Sequence, residues 1–241
     1  MLILNYISFF FLIILTFLSI SGYGAVFNNH KNINIFEKLF LGFIFLAFFN
    51  TLFHFFFKLN FYINLLIFLL GIIFFKINKL NIDKKKLFYL LIIIFLIPIF
   101  ITQKYHEDFG YYHLPYALSF LEEKIIFGLA NSNIAYTYNS IWLNVYPTFF
   151  TETKNYDFLT LPTFILFICF ILLLTHNFLN SKDWRLSNLF SIVLIFYYLL
   201  KFTRISEFGV DLPSSLYSNL AIFYFIKFFE TQDLDNKKNL L

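Results

Sequence analysis

Two polar stretches interrupt an otherwise apolar chain, and each carries carboxylates in company that permits chemistry. The first, "HEDFGYYHLP", sets Glu107 and Asp108 side by side between His106 and His113, with Tyr105, Tyr111 and Tyr112 close in sequence. On a helix Asp108 and Tyr112 share a face at i, i+4, and so do Glu107 and Tyr111. The second, "RISEFGVDLPSS", holds Arg204, Glu207 and Asp211 around a turn punctuated by Gly209 and Pro213. A carboxylate held partly away from water has a raised pKa and can take a proton from a hydroxyl. An arginine fork matches the oxygens of a phosphate. The tyrosines and histidines add hydrogen-bonding groups suited to a polyhydroxylated ligand. A plainer reading stands beside each stretch. Acids where a chain leaves a membrane are simply solvated, and Asp211 before "LPSS" suits a helix start.

The elements that must position these residues follow from composition. Hydrophobic residues make up 60% of the 241-residue chain and charged residues only 13%. Water-soluble domains carry about 25% charged residues, so that class is excluded. The 40 phenylalanines and 16 tyrosines accompany an excess of Ile, Asn and Lys. This joint bias is the mark of a genome's base composition, and the aromatics therefore carry little functional weight. The single cysteine, Cys169, leaves no disulfide framework or cysteine metal site within one chain. Neither a phosphate-cradling glycine motif nor a basic stripe is present, so nucleic acid is not an expected partner.

Crossing a bilayer takes roughly 20 apolar residues. The apolar runs predict one all-α domain over residues 1–241. It is a polytopic transmembrane helical bundle of about seven spans. They lie near residues 2–20, 36–57, 61–75, 87–101, 158–174, 189–202 and 216–229. The first run lacks the basic leader of a signal peptide and reads as retained, although "SGYGA" after it has the small residues of a cleavage site. The basic loop "KINKLNIDKKK" belongs in the cytoplasm. Counting outward, "SKDWR" and the C-terminus are also inside, while the N-terminus, residues 102–157 and the Arg204–Asp211 loop are outside. The expected setting is an inner membrane. Within the external stretch, "YALSFLEEKIIFGLA" places Leu118, Leu121, Ile125 and Leu129 opposite Glu122, Glu123 and Lys124, predicting an interfacial amphipathic helix. "SIWLNVYPTFF" predicts a second, with Trp142 and Tyr146 as anchors at headgroup depth. His54, near an external span end, is expected to reach the interface as a neutral ring.

At the polar stretches the sequence resembles a known group. "DFGYYHLPYALSFLEE", "FGLANSN", "YNSIW" and "DLP" are similar to bacterial polytopic membrane proteins with the pattern D-x-G-x-Y-H, G-L-x-N, N-S. That group is similar in turn to the GT-C superfamily of membrane glycosyltransferases, which use polyprenyl-phosphate sugars. The resemblance covers residues 105–145 and 204–215. It implies a catalytic base or substrate ligand at Asp108, with Glu107 as runner-up and Asp211 as a second acid. Arg204, Tyr112, His113, Asn131 and Asn139 become substrate-binding candidates, the two asparagines doubling as loop organisers. Lys104 and Lys201 join Arg204 as cations for a departing phosphate. No cofactor is required by this chemistry. The set His106, Glu107, Asp108, His113 and Asp211 contains ligand types for magnesium or manganese, without the spacing of a metal motif.

Rival readings come from other classes. A transporter or flippase of lipid-linked sugar would carry mid-span charges and inverted repeats, and neither is seen. A non-catalytic integral membrane subunit fits a chain that stops soon after its last span. The resemblance then implies an N-terminal part, whether a fragment, the first part of a split gene or a degenerate copy, with a separate C-terminal half or a partner subunit.

Overall fold

The computed structural model describes residues 2–27, 33–80, 97, 108–138, 140–149, 159–181, 184–202, 204 and 208–238. These form seven α-helices: α1 (Leu2–Phe27), α2 (Ile35–Phe56), α3 (Phe61–Ile77), α4 (Leu114–Glu122), α5 (Leu161–Asn180), α6 (Leu186–Leu200) and α7 (Asp211–Lys238). A π-helical turn (Phe109–His113) precedes α4, and three 3-10 segments follow it at Leu129–Asn131, Ile134–Tyr138 and Ile141–Phe149. No strand occurs among the described residues. The expected all-α class is observed.

The bundle is apolar on the outside and partly polar within. α3 exposes Leu65, Leu66, Leu69 and Ile73 while burying Asn64, Ile67 and Gly71. α1, α2 and α6 likewise turn Phe11, Phe48, Leu52, Val193 and Phe196 outward and bury Thr16, Asn50 and Ser191. That inversion suits lipid as the surrounding solvent. Helices over Ile7–Val26, Ile35–Phe56 and Leu161–Asn180 are long and apolar enough to cross a membrane. α3 and α6 are apolar but shorter. α7 is long, yet Asn219, Lys227 and Glu230 interrupt it, and it is not one of those three. The predicted span at 87–101 lies outside the described residues, Ile97 excepted.

Backbone proximity ties α1 to its neighbours. A methyl group on Gly22 would collide with the Gly71 carbonyl of α3, one on Gly24 with the Lys38 carbonyl, and one on Gly42 with the Ile20 carbonyl. Small residues permit such approach where no hydrophobic effect drives helices together. Ser19 Oγ donates to the Phe68 carbonyl at 2.8 Å, and Tyr23 Oη to the Ile67 carbonyl at 2.5 Å. The "SGYGA" run is thus a helix-packing surface in the interior of α1, which continues to Phe27.

The external stretch differs from expectation. α4 stops at Glu122, short of Ile125 and Leu129, because the chain turns to pair with the end of α2. Leu59 N–H donates to the Phe120 carbonyl (2.7 Å) and Ile125 N–H to the His54 carbonyl (3.1 Å). His54 does not reach the interface. It is buried, stacks on Phe120 with centroids 3.8 Å apart, and its Nε2 lies 3.0 Å from the Glu123 carbonyl. "SIWLNVYPTFF" is no surface helix either. It forms a 3-10 wedge, buried from Trp142 to Phe149, that packs against α2, α3, α4 and α5. Asn50 Nδ2 donates to the Asn144 carbonyl (2.7 Å) and Thr148 Oγ1 (2.8 Å), and Asn144 Nδ2 to Thr51 Oγ1 (2.6 Å). Polar groups on both sides of the contact fix the wedge where a purely apolar interface would let it slide.

Candidate functional site

A pocket forms where the π-helical turn meets the start of α7. Asp108, Tyr112, His113, Phe208, Gly209, Val210, Asp211 and Leu212 line it. Its two halves lie about a hundred residues apart in sequence, and local chemistry explains each. Pro115 enters the first turn of α4 without an N–H for the carbonyl four residues earlier, and its ring crowds that carbonyl. The chain widens there into the π turn Phe109–His113, a distortion frequent at functional sites. On the other side α7 begins at Asp211, with Pro213 in its first turn. The Asp211 carboxylate is exposed there, at the end where the helix dipole favours negative charge.

Aromatic contacts hold the halves together. Phe208 is buried, and its ring meets Phe109 edge-on at 5.2 Å, His113 at 6.1 Å and Tyr146 at 4.2 Å. Tyr146 fixes the floor. Its hydroxyl donates to the Gly209 carbonyl (2.8 Å), accepts from Trp142 Nε1 (3.0 Å), and lies 3.0 Å from Thr163 Oγ1. Burial pushes the Tyr146 phenol up to about 12, against these hydrogen bonds, which pull it down. Trp142 and Tyr146 are therefore not headgroup anchors; they are a buried, bonded pair that positions the pocket. Their i, i+4 spacing beside Pro147 was the available sequence signal.

Asp108 is half-buried and Asp211 exposed. Tyr112 senses both: burial first, then the negative charges of Asp108 and Asp211, raises its phenol above the ordinary value. The phenol stays protonated at neutral pH and is able to donate. Two acceptor carboxylates, a donor phenol and the buried His113 ring thus surround one space of about 40 Å³. That has room for a few water-sized groups. Among the described residues, its lining contains no lysine or arginine. The arrangement suits a hydroxyl that gives its proton to a carboxylate while accepting from Tyr112.

Asp108, Asp211, Tyr112 and His113 are brought together; of the other described candidates, Arg204, Lys201 and Asn131 are not among them. Arg204 is half-buried in a short turn after α6, its N–H donating to the Lys201 carbonyl (3.0 Å), and it does not line the pocket. Lys201 Nζ donates to Tyr197 Oη (2.7 Å). Asn131 is exposed in the turn at Gly128, also outside the lining. Glu107, Asn139, Lys104 and His106 lie outside the described residues. Among those described, no three His, Cys, Asp or Glu side chains gather as metal ligands.

A family model matches residues 2–241, nearly the whole chain. The chain belongs to the family described as Domain of unknown function (DUF8201). Those bounds take in the helices, the wedge and both halves of the pocket. No curated protein and no solved structure matches the sequence.

Proposed function

We propose that the chain is a GT-C-like membrane glycosyltransferase. It sits as a multi-pass protein in an inner membrane with its N-terminus outside and its C-terminus in the cytoplasm. It transfers a sugar from a polyprenyl-phosphate donor to an acceptor on the external face. The supporting observation is the meeting of Asp108, Tyr112, His113 and Asp211 in one pocket, at the end that the loop charges assign to the outside. Asp108, the more buried carboxylate, takes the proton of the acceptor hydroxyl. The acceptor oxygen bonds to the anomeric carbon, and the bond to polyprenyl phosphate breaks. Asp211 and Tyr112 orient the hydroxyl. The leaving phosphate needs a cation, which the described lining does not supply; Arg204, in the turn after α6, is the candidate among the described residues.

Membranes carrying the wild-type chain are assayed for label transfer from polyprenyl-phosphate sugars, beside Asp108→Asn and Asp211→Asn, with any chain encoded alongside it co-expressed. Loss of a general base lowers transfer by roughly 100-fold or more. Asp108→Asn is expected to show that loss at unchanged protein level, and Asp211→Asn a smaller one. Full activity in Asp108→Asn removes it as the base. No transfer by wild type with any donor favours the non-catalytic subunit.

A further inference from the structure

A second pocket, at the other end of the α6–α7 pair, has the opposite charge. Asn177, Ser181, Arg185, Asn188 and Lys227 are among the residues lining a cavity of about 480 Å³, a volume common among ligand sites. Glu230 also lines it, but both its oxygens are engaged at the start of α6: Oε1 accepts from Ser187 N–H (2.8 Å) and Oε2 from Ser187 Oγ (2.5 Å). Its negative charge thereby answers the positive end of that helix. Lys227 stands differently. Of its three donor protons one goes to Asn177 Oδ1 at 3.0 Å, and its ammonium lies 5.8 Å from the Phe223 ring centroid. Two protons of a half-buried ammonium remain for a ligand in a cavity that Arg185 also lines. Leu179, Trp184 and Leu186, next in sequence to the lining residues Asn180, Arg185 and Ser187, are exposed apolar side chains.

We propose that this cavity binds a phosphate group at the membrane surface. A lysine point charge and an arginine fork lining one cavity recognise phosphate oxygens by charge-assisted hydrogen bonds. Basic pockets between helices on the cytoplasmic side take lipid headgroups by the same physics, and the exposed apolar side chains provide for acyl chains. Inorganic phosphate shares that recognition without needing them. The site does not depend on the glycosyltransferase reading.

The test uses the full chain in detergent. Native mass spectrometry follows retention of phosphatidylglycerol against phosphatidylcholine, and a thermal-shift titration follows inorganic phosphate. Wild type is expected to retain phosphatidylglycerol preferentially. Arg185→Gln/Lys227→Gln is expected to lower that retention by roughly tenfold, and Lys227→Arg to keep it. Because Arg185 flanks the start of α6, Lys227→Gln alone, which keeps a donor for Asn177, is read beside the double variant and loses several-fold. Phosphate binding that depends on Lys227, without lipid preference, makes the carrier a soluble phosphate. Retention and phosphate response both unaltered in Lys227→Gln and the double variant overturn the proposal.

Discussion

The α6–α7 pair carries two pockets of opposite chemistry at its two ends. Asp211 opens α7 at the acidic pocket, and Lys227 reaches the basic one 16 residues later (227 − 211), a helical rise of about 24 Å. The acidic pocket is small and is built by irregular backbone, pinned by Phe208 and Tyr146. The basic pocket is wider and is built by side chains of three regular helices and of the α5–α6 connection, with Glu230 seated at the start of α6. Between them Tyr198 Oη lies 2.7 Å from Ser215 Oγ and accepts from Asn219 Nδ2 (2.7 Å), holding the pair in register. The difference teaches that one hairpin can separate acid from base by about 24 Å while burying neither charge in its middle. It also makes the two ends separately testable.

The largest expected effect breaks the comparison at its acidic end. Asp108→Asn should cut transfer by roughly 100-fold while leaving phosphatidylglycerol retention at the basic end unchanged. Loss of both readouts would mean that one pocket feels the other. Tyr146→Phe comes next. It leaves the Gly209 carbonyl and the Trp142 indole N–H without their partner in a buried setting, at a cost of about 1–3 kcal/mol. Transfer should fall by roughly tenfold as the Gly209 floor loosens. The same residue sets an alkaline limit. Its folded pKa, about 12, exceeds the unfolded value of 10, so the folded protein holds the proton more tightly. Stability from this group is therefore complete below pH 10 and is lost as pH rises toward 12. Melting temperature in detergent between pH 9 and 12 should fall for wild type and less steeply for Tyr146→Phe. Parallel curves would assign the alkaline loss to other groups.

At the basic end the expected effect is smaller. Glu230→Gln keeps one acceptor for Ser187 but removes the charge that the α6 terminus favours, costing about 0.5–1 kcal/mol. With one negative group gone, the Arg185–Lys227 space should bind phosphate a few-fold more tightly. Weaker binding in this variant would show that Glu230 shapes the cavity beyond its helix-end role.

What was legible in the sequence divides along the same line. Apolar runs over α1, α2, α3, α5 and α6 announced themselves because lipid demands apolar length, and only their ends shifted, as α1 did through "SGYGA" to Phe27. Asp108 and Asp211 stood out because charge is rare in this chain, and the pocket joins them. The wedge was misread because Trp and Tyr serve equally at a lipid surface and in a polar-lined core; only the tertiary partners Gly209 and Thr163 decide. The end of α4 was misread because its period continues in "KIIFGL", while the backbone of α2 and the α2–α3 turn compete for the carbonyl and N–H groups beyond it. The basic pocket was missed altogether. Its residues lie on three helices and the α5–α6 connection; "SKDWR" marked only a cytoplasmic loop and gave no sign that Arg185 meets Lys227 of α7 at one cavity.

The smallest effect concerns the turn at Gly128, where the resemblance gave Asn131 a sugar contact. Gly128 has φ +77°, the left-handed region, and its carbonyl accepts the Asn131 N–H at 2.8 Å. The Asn131 amide side chain covers the glycine closely enough that a Cβ there would sit 3.0 Å from Nδ2. A turn of this shape uses Asn131 through its backbone and by packing, and neither use needs the side chain to meet a ligand. Gly128→Ala should therefore cost about 1 kcal/mol through its backbone angle alone. Asn131→Ala should change transfer by less than about twofold, a size typical of exposed substitutions. A tenfold loss of transfer in Asn131→Ala at unchanged melting temperature would reverse that assignment. It would extend the acidic pocket over the Leu129–Asn131 turn and make the acceptor large enough to bridge the two.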